Sequence, residues 1–96
     1  MSAASVTRYV VTFHYPDQSL SDLQELNSAM SSGGFTTTLV DEAGHPHELG
    51  SNSFGLVSAL TREEIAQQAT AVGEMVLNKT PDVEVTTLDD FLKQQG

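Results

Sequence analysis

The chain has 96 residues, of which 39% are hydrophobic, and a formal net charge of −9 at pH 7. A chain of this length forms one domain with a single thin core, and the absence of cysteine excludes disulfides, thiol nucleophiles and Cys-ligated metal centres. The few basic residues are scattered, which disfavours generic binding to nucleic acid or to anionic membranes: Arg8, Arg62, Lys79 and Lys93.

The first part of the chain predicts a strand, a helix and a second strand. Residues 8–15 are rich in β-branched and aromatic side chains and stop at Pro16, which is typical of a strand. After a turn at 16–18, Ser19 and Asp22 resemble a capping box. The helix that follows has an apolar stripe and ends at the glycines of 31–34: Leu20, Leu23, Leu26 and Met30. Residues 35–40 predict the second strand.

The second part begins with a polar connection at residues 41–52. Residues 54–60 predict a third strand, paired with the second as a hairpin. Thr61 and Glu64 form a T-x-x-E capping box for a second helix, whose apolar face is formed by Ile65, Ala69, Val72 and Val76. Residues 82–86 predict a fourth strand. A short terminal helix begins at Thr87 and carries Leu88, Phe91 and Leu92.

The order β-α-β-β-α-β predicts an α+β, ferredoxin-like sandwich, with a four-stranded antiparallel sheet, two helices on one face and the short C-terminal helix added. The helix side is expected to bury Tyr9, Val11, Phe13, Phe54, Leu56 and Leu60. The opposite face carries small, moderately apolar residues: Val10, Thr12, His14, Thr36, Thr38, Val40, Gly55, Val57 and Ala59. This face is either a Thr-rich solvent face or an open surface for a second copy or a protein partner.

The N-terminus has neither a basic start nor a long apolar run, and no stretch approaches the roughly 20 apolar residues that cross a bilayer. We therefore expect a cytoplasmic protein without a membrane partner. Residues 1–7 are expected to form a flexible N-terminal segment and residues 8–96 a single domain. The chain contains no internal repeat and no low-complexity tract.

Three segments are more specific than this general pattern. They are YVVTFHYP at 9–16, VDEAGHP at 40–46 followed by NSF at 52–54, and LDDF at 88–91. In that order and at those separations they resemble the GhoS family, the small antitoxins of type V toxin–antitoxin systems, over residues 8–94. The resemblance implies a ferredoxin-like fold similar to that of small CRISPR-associated nucleases. It also implies a sequence-selective endoribonuclease that cleaves the messenger RNA of a membrane-damaging toxin.

The chain departs from that family pattern in two places. The family's first strand ends in an acidic residue just before Tyr-Pro, whereas this chain has His14 there. The family's first helix carries arginines suited to RNA, whereas the matching residues 24–27 have none. The resemblance therefore supports the scaffold more strongly than it supports any particular catalytic residue.

RNA cleavage needs a proton acceptor, a proton donor and a positive centre for the developing charge. His14 is the candidate catalytic residue, because an imidazole normally titrates near pH ~6.5. In a homodimer two His14 side chains could share the acid and base roles, although a strand-end histidine is also commonly a packed or solvated residue. Arg8 and Arg62 are the candidate RNA-binding residues. Alternatively, Arg62 is a surface residue balanced by Glu63 and Glu64.

A candidate metal site lies in the predicted connection, where carboxylates and imidazoles are concentrated: Asp41, Glu42, His45 and His47. These groups suit a divalent ion such as Mn²⁺ or Zn²⁺, which would supply the positive centre. Their spacing matches no defined metal motif, and an exposed polar loop is the alternative.

The leading functional hypothesis is a GhoS-like antitoxin that cleaves a specific toxin messenger RNA. We expect it to act as a monomer or homodimer, with or without a divalent metal ion as cofactor. The alternative is a non-catalytic, acidic ferredoxin-like module that binds a protein partner through its open sheet face. The −9 charge favours the alternative, and the near-complete motif match favours the nuclease.

Overall fold

The computed structural model describes residues 6–14, 20–50, 52–77 and 80–95. The chain is an α+β protein with the following elements: β1 Thr7–His14, α1 Leu20–Ser32, β2 Thr38–Val40, β3 Pro46–Glu48, β4 Ser53–Ser58, α2 Arg62–Leu77, β5 Asp82–Thr87 and α3 Leu88–Gln95. The predicted turn at 16–18 and the Ser19 cap lie outside the described residues, as does most of the segment 1–7. Thr7 already belongs to β1.

The main sheet is antiparallel and has the order β4-β1-β5, with β1 in the centre. Val10 marks its middle, because it lies opposite Gly55 on one side and Thr86 on the other. This centre position matches the β-branched composition of β1, since a central strand is packed on both faces. Successive side chains of β1 therefore pack on opposite faces of the sheet, and the packing on both faces holds the ends of the strand in place.

The predicted second strand joins this sheet through one bridge only, between Thr36 and Gly55. The Thr36 N–H donates to the Gly55 carbonyl at 2.8 Å, and the Gly55 N–H donates back at 2.6 Å. Beyond Thr36 the chain leaves the sheet, and β2 pairs instead with β3 as a separate two-stranded sheet. The prediction of a four-stranded sheet is thus met only in part. The β3 strand lies within the segment 41–52, which the sequence predicted to be a polar connection.

Helices α1 and α2 pack on the same face of the main sheet, as predicted. The core there joins Leu26 and Met30 of α1 to Ile65 and Ala69 of α2 over the buried side chains of β1 and β4: Tyr9, Val11, Phe13 and Phe54. Leu56 and Leu60 are partly buried against it. The rings of Phe13 and Phe54 meet edge to face, with centroids 5.9 Å apart. The burial predicted for this face is confirmed.

Two predicted helix caps are also present. The Glu64 N–H donates to Thr61 Oγ1 at 3.2 Å, and the Thr61 N–H donates to Glu64 Oε1 at 3.1 Å, which completes the capping box of α2. The Asp90 N–H donates to Thr87 Oγ1 at 3.2 Å, so Thr87 caps α3. Because α3 begins at the residue after β5 ends, the chain turns directly from the sheet edge onto the sheet face.

The opposite sheet face is not open at its centre, and the expectation of an uncovered surface there is wrong. Helix α3 and the β2–β3 hairpin cover it and form a second core: Val10, Leu39, Leu49, Leu88 and Phe91. Val10 has no exposed surface. The physical reason is that the apolar stripe of α3, Leu39 within β2 and Leu49 just after β3 need burial, and this face supplies it. No helix among the described residues is long and apolar enough to cross a membrane.

Candidate functional site

A concave site of about 240 Å³ lies where β1 ends, at the margin of the sheet face that α3 and the hairpin cover. Its lining includes Leu49 and Phe91, which are largely buried. Polar residues from four parts of the chain also line it: Thr12, His14, Asn52, Ser53, Glu84, Thr86 and Gln94. We call this site the His14 groove. It contains the candidate catalytic residue and several residues that the sequence alone did not single out for chemistry.

The register of the sheet places Glu84 in this groove. Thr12 and His14 point to the α3 side because they share the strand alternation of Val10. On β5, Glu84 lies opposite Thr12, and Asp82 lies opposite His14. Glu84 reaches diagonally across the strands, so that its Oε1 atom lies 3.2 Å from His14 Nε2. Both side chains are half-exposed, at 51% for His14 and 53% for Glu84, and this leaves the imidazole accessible to a ligand.

Asn52 fixes the backbone that carries His14. Its Nδ2 atom donates to the Phe13 carbonyl at 2.8 Å, and its backbone carbonyl accepts the Phe13 N–H at 3.0 Å. Beside it, the hydroxyls of Thr12 and buried Ser53 share a hydrogen bond of 3.0 Å. These contacts hold β1 against the start of β4 immediately before His14. They also give a structural role to the N-S segment that made the sequence resemblance specific.

The two candidate RNA-binding arginines lie at the other end of the sheet. Arg8 is on the same face of β1 as His14, but about 20 Å from it at roughly 3.3 Å per residue. Arg62 begins α2 shortly after β4, whose last residue, Ser58, pairs with Thr7. Neither guanidinium forms an ion pair within 4.0 Å among the described residues. One oxygen of the Glu64 carboxylate accepts the Thr61 N–H of the helix cap.

Arg8 lines a separate cleft of about 190 Å³ together with acidic residues: Asp41, Glu42 and Asp89. The structure therefore does not bring His14 and the arginines into one pocket. Arg8 and His14 share one face of the sheet, with the packed side chains of α3 lying over Val10 between them. A ligand that touched both would have to be extended across this face.

Three of the four predicted metal ligands, Asp41, Glu42 and His45, lie in the turn of the hairpin, and His47 lies in β3. Asp41 Oδ1 accepts the backbone N–H groups of Ala43 and His45, both at 2.9 Å. Its other oxygen lies 2.8 Å from His47 Nε2 and 3.9 Å from His45 Nδ1. Glu42 lines the Arg8 cleft. The described part of the chain holds no group of three or more His, Asp or Glu side chains placed to bind one metal ion.

Every hydrogen bond described for the Asp41 carboxylate is made within the hairpin. The hydrogen bond from the His47 side chain, followed by those from the backbone of His45 and Ala43, lowers the pKa of Asp41 from 3.8 to about 2. Gly44, with a φ of 87°, completes the turn. The geometry thus assigns Asp41 to the stability of the turn and gives no support to the metal prediction.

Comparison with known proteins agrees with the sequence resemblance. The family model described as Endoribonuclease GhoS matches residues 1–94. The uncharacterized protein YdiZ of Escherichia coli strain K12 is 33% identical over 91 residues, which is 95% of each chain. YdiZ of Escherichia coli O157:H7 has the same identity and coverage. The match extends through both sheet ends and all three helices, and the chain belongs to the endoribonuclease GhoS family.

Proposed function

We propose that this protein is an antitoxin of the GhoS type, an endoribonuclease that cleaves the messenger RNA of a toxin in the cytoplasm. The observation that carries the proposal is the match of the family model along residues 1–94. The His14 groove supports it, because it combines an accessible imidazole with polar side chains on a concave surface. Arg8 and Arg62 would contact phosphates at a distance from the reacting bond.

We also infer that the fold is ferredoxin-like, with the second strand of the motif reduced to the Thr36–Gly55 bridge. The antiparallel order β4-β1-β5 and the two helices on one face support this inference. The bridge lies on the outer side of β4, where the missing strand of a four-stranded sheet would run. The hairpin and α3 are then additions that cover the second face.

The groove suits single-stranded RNA better than a duplex. Sequence-specific proteins recognise RNA mostly in unpaired segments, whose bases stack on apolar or aromatic side chains and bond to amides. Phe91 and Leu49 line the groove but are only 8% and 4% exposed, so we expect recognition to rest mainly on polar groups. The Gln94 amide and the side-chain carbonyl of Asn52 are two such groups, since the Asn52 Nδ2 atom is already bonded to Phe13. The net charge of −9 provides little long-range attraction, so we expect modest affinity with recognition concentrated in the groove.

The alternative, a non-catalytic module, depends on an open sheet face as its binding surface. A protein partner was expected on an open sheet face, and the centre of that face is buried under α3 and the hairpin. Val40 and Val57 remain about half exposed, at 48% and 51%. Two such side chains do not form the extended apolar patch that marks a protein interface.

Incubation of the purified protein with a panel of transcripts tests the proposal. The panel includes the transcript of any short membrane-protein gene adjacent to this one, and each reaction is run with Mg²⁺, with Mn²⁺ and with a chelator. We expect discrete cleavage of one transcript, at a defined position. If every transcript stays intact under all three conditions while a complex with a protein is recovered by affinity capture, the non-catalytic module is the better account.

A further inference from the structure

The contact between His14 and Glu84 determines which imidazole nitrogen is free. Glu84 Oε1 lies 3.2 Å from His14 Nε2. An ionised carboxylate only accepts hydrogen bonds, so the neutral imidazole that bonds to it carries its proton on Nε2. The other nitrogen, Nδ1, then presents a lone pair. His14 is thus prepared to accept a proton at one defined atom.

We propose that Glu84 is a positioning residue that holds His14 in the Nε2–H tautomer, and that Nδ1 removes the proton from a ribose 2′-hydroxyl of bound RNA. This inference rests on the proposed function. It specifies the attacking group as the RNA's own 2′-oxygen and therefore the substrate as a ribonucleotide at the cleaved position. Glu84 lies on β5, far from His14 in sequence, and only the strand register brings the two together.

The groups around His14 favour an internal nucleophile. Among the described residues, the charged side chains that face it are both carboxylates on β5, Asp82 and Glu84, while the groove residues contributed by β1, β4 and α3 are uncharged. No lysine or arginine is among the described residues that line the groove. A 2′-hydroxyl needs no such cation to hold it, because it is already attached beside the phosphorus, and this intramolecular placement greatly raises its effective concentration.

The step balances without an added reactant. Nδ1 takes the 2′-hydroxyl proton as the 2′-oxygen forms a bond to phosphorus. The bond between phosphorus and the 5′-oxygen breaks, and the leaving 5′-oxygen takes a proton from water. The products are one fragment with a 2′,3′-cyclic phosphate and one fragment with a 5′-hydroxyl. The imidazolium remains bonded to Glu84 until it returns its proton to solvent.

The tautomer is tested by ¹⁵N NMR of the histidine rings at neutral pH, in the unmodified protein and in two variants. Glu84→Ala removes the bonded carboxylate. Asp82→Ala removes the carboxylate opposite His14 in the register, which forms no hydrogen bond to His14 in the described part of the chain, and so controls for charge alone. We expect the Nε2–H tautomer of His14 in the unmodified protein and in Asp82→Ala, and a mixture of tautomers in Glu84→Ala. An unchanged tautomer in Glu84→Ala would overturn the positioning role.

The chemistry is tested by the ends of the RNA products and by kinetics. We expect a 2′,3′-cyclic phosphate, no cleavage when the reacting nucleotide is 2′-deoxy, and a kcat about 10- to 100-fold lower in Glu84→Ala with KM unchanged. Products with a 5′-phosphate, or cleavage of the 2′-deoxy substrate, would overturn this inference and leave the nuclease proposal standing. Absence of cleavage of any RNA by the unmodified protein would remove both.

Discussion

The Leu39 side chain lies directly over Gly55, on the face of the sheet that α3 also covers. A Cβ atom built at Gly55 would lie 2.7 and 2.9 Å from the two Cδ atoms of Leu39, closer than side chains pack. The absence of a side chain at Gly55 therefore lets the hairpin dock on the sheet. After the Thr36–Gly55 bridge the chain leaves the main sheet, and the packing of Leu39 on Gly55 helps to hold the hairpin over it.

This contact predicts that Gly55→Ala destabilises the protein by about 1–3 kcal/mol, because the added methyl group overpacks the site. Leu39→Ala should cost about 2–5 kcal/mol by leaving a cavity. The double variant should lose less free energy of unfolding than the sum of the two single losses, since the new methyl group enters the space that Leu39 leaves. Chemical denaturation of the four proteins measures this coupling. Strictly additive costs would show that Leu39 does not pack over Gly55.

A second close approach predicts the effect of Gly73→Ala in α2. Alanine improves helix propensity by about 1 kcal/mol, but its Cβ would lie 2.8 Å from the Phe13 ring and 2.7 Å from Pro81. We expect overpacking to dominate and the free energy of unfolding to fall by about 1 kcal/mol. The exposed Ala71→Gly variant in the same helix calibrates the propensity effect. A Gly73→Ala variant more stable than the parent would contradict the close packing of α2 on β1.

The hairpin turn predicts a defined pH dependence of stability. Because the folded pKa of Asp41 is about 2 and its ordinary value is 3.8, the ionised carboxylate stabilises the fold above about pH 4. This contribution is lost as the pH falls from about 4 towards 2. The melting temperature of the parent protein should therefore exceed that of Asp41→Asn at neutral pH, and this difference should narrow as the pH falls across this range. The control is Glu42→Gln, which changes the next residue. If its melting-temperature difference from the parent narrows equally, the effect belongs to the general charge of the loop.

The Arg8 cleft predicts a specific change in RNA binding. Binding of an uncleaved 2′-deoxy analogue should weaken in Arg8→Gln, and the slope of log affinity against log salt should decrease by about 0.7 for the single-strand phosphate contact removed. Lys93→Gln, which removes one exposed charge from α3, should leave the slope unchanged. Equal effects of the two substitutions would indicate a general electrostatic term without a contact at Arg8.

The sequence predicted the elements whose signals are local. The cap at Thr61, the apolar stripe of α2 and the alternation in β1 each lie within a few residues, and all three are confirmed. It did not predict β3, because Pro46, His47 and Glu48 have no strand pattern and are held by pairing with β2. The nearby Leu49 was the one available signal, since an isolated leucine in a polar connection needs a place to be buried.

The candidate site was predicted only as far as its separate residues. His14 is identifiable from its position before Tyr-Pro, but Glu84 becomes its partner through the β1–β5 register, which no local pattern encodes. The covering of the second face was missed for a similar reason. The apolar residues of α3 were recognised, whereas the surface that receives them depends on how the chain turns after β5.

The role of His14 is the central claim, and the rate of RNA cleavage by His14→Ala tests it most directly. His45→Ala is the matched control, since His45 is also an exposed histidine but lies in the hairpin turn away from the groove. Because His14 is half-exposed, its removal should change the free energy of unfolding by no more than about 0.5 kcal/mol. We expect a rate at least about 100-fold lower in His14→Ala and an unchanged rate in His45→Ala. Cleavage by folded His14→Ala at the parent rate would contradict the account.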